Sequence, residues 1–184
     1  MIKRFALLLV LCLLTACATG SAETAEAVEV ALDGFTLSLQ NGEYCLTYEK
    51  AVDQAYVIVW PFYSSGDFGQ NYCFVWEGGP FEMTEDDALD RIADMEEELR
   101  GELSRQGFSL DSLSAEDIYE AELNGMPCVV ADLELTISTV AGTRTVWERE
   151  IMFGSLGYIA TITAVSADDL DAITDMMAFS LDFN

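Results

Sequence analysis

The sequence predicts an α+β domain: an antiparallel β-sheet accompanied by one long and one short helix. Apolar and polar residues alternate over several stretches, most regularly from Pro127 to Ser138. This period of two is typical of strands with one buried face. Short turns rich in Gly and Asn separate these stretches. Two other segments have the helical period, and a few helices within a β-rich chain favour the α+β class.

The first sixteen residues have the features of a bacterial signal peptide. Lys3 and Arg4 precede an apolar run, residues 5–14, that is too short to span a bilayer. Leu14-Thr15-Ala16-Cys17 then resembles the lipobox of bacterial lipoproteins, in which the cysteine is lipidated. We predict a signal peptide over residues 1–16 and lipidation, such as palmitate, on Cys17. The alternative is an ordinary secretory signal with an unmodified Cys17.

Residues 17–33 are predicted to be a flexible acidic tether behind the lipidated cysteine. The segment is small, polar and acidic and has no aromatic residue, so it cannot bury enough apolar surface to order itself. A tether of this kind would hold a folded domain, residues 34–184, at the extracytoplasmic face of the cell membrane. The length of that remainder suits one domain with a single core.

The charge balance is strongly acidic. Removal of the signal takes two of the 8 basic side chains and none of the 33 acidic ones, so the formal charge of −25 becomes −27. Such a surface excludes nucleic acid as a partner, because that binding depends on Lys and Arg neutralising phosphates. The acidity either keeps the domain soluble or attracts a basic partner.

The chain contains no histidine, which excludes Ser-His-Asp and Cys-His catalysis and histidine-ligated zinc. Three cysteines follow Cys17. Cys45 and Cys73 lie in predicted strands and could form a disulfide if those strands are neighbours. The alternative is that they are small buried thiols, as is Cys128. The sequence has no Cys-x-x-Cys motif.

Nine strands are predicted, with a hairpin turn at Asn41-Gly42 after the first. They are 34–40, 44–49, 56–62 and 72–76, and then 118–123, 127–138, 143–153, 158–165 and 179–183.

The long helix is predicted from Glu85 to Gln106. Thr84 and Asp87 have capping-box spacing, and Gly107 is a plausible stop. Its predicted buried face comprises Leu89, Ile92, Leu99 and Leu103, flanked by Ala88 and Met95. The short helix is predicted from Ala167 to about Met177, capped by Ser166, with Leu170, Ile173 and Met177 facing inward.

Two motifs of this chain are shared with a known family of folds. Asn124-Gly125-Met126-Pro127 precedes a long strand, and the short helix is followed by Ser180-Leu181. In this order of elements the chain resembles the PsbP-like αβα sandwich. That resemblance implies an accessory role in a larger complex and no catalysis. It transfers no family binding residue to this sequence.

Several groups of acidic residues are candidate sites. Acids at the starts of the two helices are explained by capping and the helix dipole, with a cation site as the alternative. Asp132 with Glu134, and Glu148 with Glu150, are each paired on one face of a strand. Such pairs can act as acid and base, but they are also typical of a solvated sheet face, which is our prediction.

The aromatic residues of two strands are the best candidates for partner binding. If one of their faces points outward it forms an apolar patch, and otherwise it belongs to the core. The candidates are Tyr56, Trp60, Phe62, Tyr72 and Trp76.

The predicted function is therefore a membrane-anchored, non-catalytic lipoprotein that binds a protein partner or supports an envelope complex. Its bilayer contact would run through the N-terminal lipid, and we expect no cofactor, no metal and no catalytic residue. The alternatives are a module that binds a small ligand or divalent cation, and a carboxylate-based hydrolase.

Overall fold

A seven-stranded antiparallel sheet forms the middle layer of the domain. The computed structural model describes residues 29–40, 43–50, 54–62 and 69–183, without the side chains of 44–50 and 54–56. The strands are β1 (Glu29–Leu32), β2 (Phe35–Ser38), β3 (Tyr44–Lys50), β4 (Gln54–Trp60), β5 (Asn71–Trp76), β6 (Ser109–Leu123), β7 (Met126–Thr139), β8 (Gly142–Phe153), β9 (Tyr158–Ala164) and β10 (Leu181–Phe183). The helices are α1 (Glu85–Arg105) and α2 (Ala167–Ser180). The strand order of the large sheet is β3-β4-β5-β9-β8-β7-β6.

The long helix α1 begins at the predicted capping box. The Asp87 amide donates to Thr84 Oγ1 at 3.2 Å, and the Thr84 amide donates to Asp87 Oδ2 at 3.0 Å. This reciprocal pair satisfies donors that a helix start leaves open. The helix ends before Gly107, whose φ of 82° lies in the left-handed region that glycine tolerates.

One stripe of α1 packs on β6 and β7 and forms a core with that face of the sheet. The buried residues of the stripe are Ala88, Ile92, Met95, Leu99 and Leu103. Leu89, which was predicted to be inward, is 50% exposed, so that part of the prediction was wrong.

The opposite face of the large sheet is covered by α2 together with a small sheet in the order β1-β2-β10. Phe35 of β2 is fully buried there, with its ring centroid 5.1 Å from those of Phe74 and Tyr158. Ser166 caps α2 as predicted, since its Oγ accepts from the Asp169 amide at 3.1 Å. The two layers that flank the sheet confirm the α+β class.

The three largest differences from the sequence-based elements are these. β1 lies within residues 17–33, the segment predicted as tether. These residues form a strand because they pair with β2. β6 begins at Ser109, nine residues before the predicted start. The last helix continues through Ser180, which leaves a final strand of three residues. The predicted turn at Asn41-Gly42 lies outside the described residues.

Candidate functional site: a groove and a buried carboxylate pair

The segment Glu77–Met83, here called the strap, joins β5 to α1 across the β8–β9 turn. Its amides at Glu77 and Phe81 each donate at 2.8 Å, to the carbonyls of Gly157 and Gly154. Both glycines are required by close approach: a Cβ on Gly154 would collide with the Phe81 carbonyl oxygen, and one on Gly157 with Gly79. Two glycines of the turn therefore hold the strap in place.

A groove of about 580 Å³ lies between the strap and the β6–β7 hairpin. Its apolar lining includes Phe81, Met83, Pro127, Val129 and Met152. Exposed Glu120 and Glu122 of β6 add negative charge to the same lining. We call this feature the strap groove. An apolar floor with an acidic rim suits a peptide segment that combines apolar and basic side chains.

Cys128 also lines the strap groove, but its chemistry is that of a buried thiol. Its side chain is 7% exposed, and its Sγ lies 3.6 Å from the Ala121 carbonyl oxygen, to which it donates. Burial raises the pKa of Cys128 to about 11. At neutral pH the thiol therefore stays protonated, which is unsuited to nucleophilic attack.

The hairpin that forms one wall of the groove is tied to α2 by Asn124. This residue has a φ of 50°, which Asn tolerates in tight turns. Its Nδ2 donates to the carbonyl oxygens of Ala178 at 2.6 Å and Leu181 at 3.1 Å. The Asn-Gly motif of the sequence therefore satisfies carbonyls at the end of the last helix.

Glu148 and Glu150 of β8 are both 0% exposed, so the prediction of a solvated sheet face was wrong for this pair. The reason is position: β8 lies between β7 and β9 and carries a core on each face. Burial raises the pKa of Glu148 well above its usual range, and the charge of Glu150 raises it further. Burial also raises the pKa of Glu150 to about 7, against the lowering effect of Arg91.

The partners of this pair are few. Thr163 Oγ1 donates to Glu148 at 3.4 Å, and Arg91 Nε lies 3.9 Å from Glu150 Oε2, beyond hydrogen-bond distance. Both oxygens of Glu150 lack a hydrogen bond among the described residues. A buried polar group without a partner costs about 1–3 kcal/mol, and a charged one costs more.

The other acidic pair, Asp132 and Glu134, has a different environment. Asp132 and Glu134 are both partly buried, and Asp132 receives two bonds from Arg149, at 2.6 Å from Nε and 2.8 Å from Nη2. Arg149 Nη1 also donates to Asp171 at 2.9 Å. This arrangement links β7 and β8 to α2 and has a structural role.

The five aromatic candidates do not form one exposed face. Trp60 is 3% exposed and Tyr72 is fully buried, and they belong to cores on opposite faces of the sheet. Phe62 and Trp76 are half-buried against the α2-side core. The side chain of Tyr56 lies outside the described residues. For Trp60 and Tyr72 the core alternative therefore holds.

The possible Cys45–Cys73 disulfide is not formed, since Cys73 is a free buried thiol, which is the alternative given above. The physical reason is that β4 lies between their strands: Cys45 is opposite Val59 and Cys73 is opposite Ile58. Two strand spacings place the Cα atoms roughly 9–10 Å apart, whereas a disulfide needs less than about 7 Å.

Cys17 and the rest of the predicted signal lie outside the described residues. Within the described part of the chain, no helix is long and apolar enough to cross a membrane. Within the same residues, no three His, Cys, Asp or Glu side chains converge as a metal site. The acids that begin α1 and α2 include the two capping residues Asp87 and Asp169.

Comparison with known proteins supports the fold. No family model matches the sequence, and no curated protein sequence matches it. The structure is similar to the solution structure of cyanobacterial PsbP (CyanoP) from Synechocystis sp. PCC 6803, with 14% identity and a TM-score of 0.51, covering 91% of this chain and 97% of that chain. PA94, a protein of unknown function from Pseudomonas aeruginosa, is 11% identical with a TM-score of 0.37, covering 84% of this chain and 95% of that one.

The class that these observations define is an α+β domain with a PsbP-like fold. At 14% identity the likeness to CyanoP concerns the fold alone.

Proposed function

We propose that this protein is a lipid-anchored, extracytoplasmic accessory protein that binds a protein partner through the strap groove and has no catalytic activity. The observation that carries the proposal is the groove itself, with its apolar floor and acidic rim. The lipobox at Leu14–Cys17 and the fold shared with a PsbP protein support the anchored and accessory parts of it.

The chemistry of the described residues supports a non-catalytic role. Glu148 and Glu150 lie in the interior, and neither lines the strap groove. Cys128 does line the groove but keeps its proton at neutral pH. A partner-binding surface uses the groove as it is, whereas a carboxylate hydrolase would need two acids that reach a substrate.

The anchor is tested by fractionating a bacterial host that expresses the full chain and by measuring the mass of the N-terminal peptide. We expect an acylated Cys17 and membrane association. Cys17→Ala should release the protein, whereas Cys12→Ala, a matched change inside the signal, should leave the anchor intact. An unacylated Cys17 peptide from the unaltered protein would contradict the anchored part of the proposal.

The partner surface is tested by crosslinking in cells, with the crosslinked species identified by mass spectrometry. The double variant Glu120→Lys and Glu122→Lys reverses the rim charge and should lower the yield of the specific adduct by about tenfold. The matched control is Glu116→Lys with Asp117→Lys, on the same strand but outside the groove lining. If both variants lose the same yield of adduct, the cause is net charge, and the strap groove is not the binding surface.

A further inference from the structure

Six polar side chains form two rungs across β5, β9 and β8, on the side of the sheet that faces α1. We call this set the polar ladder. One rung is Asn71, Thr163 and Glu148, and the other is Cys73, Thr161 and Glu150. Residues directly opposite each other share a face, so all six are directed to the same side of the sheet. None is more than 4% exposed.

The polar ladder contains five oxygen atoms without a hydrogen-bond partner among the described residues. They are Asn71 Oδ1, Thr161 Oγ1, Glu148 Oε2 and both carboxylate oxygens of Glu150. Buried polar atoms in proteins are nearly always paired with protein, water or an ion. A cluster of five unpaired oxygens that includes two carboxylates therefore points to a ligand of positive charge.

The charge distribution points to the same kind of ligand. Arg91 is shared between Glu150, at 3.9 Å, and Glu77, at 3.4 Å. It is therefore a counter-ion for one side of the ladder. Glu148 has only the neutral Thr163 hydroxyl as its hydrogen-bond partner in the described structure. Within the described residues, the two carboxyl groups of the ladder thus have Arg91 as their one cationic neighbour.

We propose that the polar ladder binds one divalent cation, with Ca²⁺ preferred over Mg²⁺. Two carboxylates, the Asn71 amide oxygen and the two threonine hydroxyls supply about seven hard oxygen donors, within the range that Ca²⁺ takes. Mg²⁺ demands a strict octahedron and keeps its waters, which suits a dry interior poorly. Neighbouring strands are about 4.8 Å apart, so a cation above β9 is within reach of side chains from β5 and β8. The site is separate from the strap groove and does not depend on the proposed partner.

The test uses the full chain in detergent micelles, stripped with EDTA and then titrated with CaCl₂ or MgCl₂ at constant ionic strength. Calorimetry should detect one saturable Ca²⁺ site of millimolar or stronger affinity, with weaker binding of Mg²⁺. The unfolding temperature should rise as Ca²⁺ is added. No saturable binding at millimolar Ca²⁺ would overturn the proposal.

Variants locate the site. Glu148→Gln and Asn71→Ala should each weaken Ca²⁺ binding by about tenfold or more. Thr161→Val keeps the side-chain shape while removing one oxygen, so it should fold and still bind less tightly. The control, Asp86→Asn with Glu97→Gln, removes two exposed charges of α1 and should leave the saturable site unchanged. Unchanged affinity in folded Glu148→Gln and Thr161→Val, or equal loss in the control, would reject the polar ladder as the site.

Discussion

Glu148, Arg149 and Glu150 are consecutive charged residues of β8. Their side chains alternate between the two faces of the sheet, and the number of hydrogen-bond partners differs between those faces. Arg149, toward α2, makes two bonds to Asp132 and one to Asp171. Glu148 and Glu150, toward α1, are fully buried with most of their oxygens unpaired. Arg149, whose side chain is 12% exposed, has a satisfied network, whereas the two fully buried glutamates have few partners and raised pKa values. The two faces therefore differ both in the depth of burial and in the supply of partners for a charged group.

The largest effect should come from breaking the satisfied face. Arg149→Leu leaves Asp132 partly buried without its two strongest bonds, and we expect a loss of about 3 kcal/mol in the free energy of unfolding. Urea unfolding followed by circular dichroism measures it. Arg144→Leu, an exposed change on the same strand, should alter stability by less than about 0.5 kcal/mol. Similar values for the two variants would mean that the network contributes little.

The next largest effect on stability should come from the strap, whose Glu77 pairs with Arg91 of α1. Gly154→Ala places a Cβ against the Phe81 carbonyl, and we expect a destabilisation of about 2–3 kcal/mol. Gly101→Ala provides a control of opposite sign: nothing lies within 4 Å of the added Cβ, and alanine in a helix is favoured by about 0.5–1 kcal/mol. Thermal unfolding distinguishes the two variants. A stable Gly154→Ala would show that the strap is not held where it lies.

The smallest effect should come from removing the buried acid Glu150 on the face of the sheet toward α1. The folded-state pKa of Glu150 is about 7, above its usual 4.5, so the folded chain holds this proton more tightly than the unfolded chain does. Stability from this group is greatest below the unfolded pKa and falls as pH rises to about 7. In EDTA, Glu150→Gln should lessen this fall and be more stable than the unaltered protein by about 2 kcal/mol at pH 8. Urea unfolding from pH 4 to 8 measures it, and parallel curves for the two proteins would refute the shift.

Local signals predicted the helices well. The Thr84–Asp87 capping box and the Gly107 stop act within a few residues, so the start and end of α1 followed from short-range sequence. Leu89 was misplaced because helical spacing defines a stripe only approximately, and the sheet surface selected Ala88 instead. The first half of β6 was missed since it lies at a sheet edge, with mostly exposed residues and two register shifts.

The candidate site was less accessible to sequence reasoning. Phe81, Met83 and Met152 come from the strap and from β8, and nothing in their local pattern shows that they meet at one groove. The alternation in Glu148-Arg149-Glu150 is that of a half-exposed strand. The signal that could have corrected it is the apolar run Ile151-Met152-Phe153, since a strand that is apolar on both faces is central.

The order of apolar and polar residues, the caps and the turn residues were enough to specify an antiparallel α+β domain, because these act over a few residues and obey fixed periods. Which strands are neighbours depended on contacts between distant parts of the chain. That arrangement made Cys45 and Cys73 too distant to bond, buried Glu148 and Glu150, and brought six polar side chains into two rungs. The burial of a side chain depends on which strands and layers surround it, whereas the local sequence shows only that apolar and polar residues alternate.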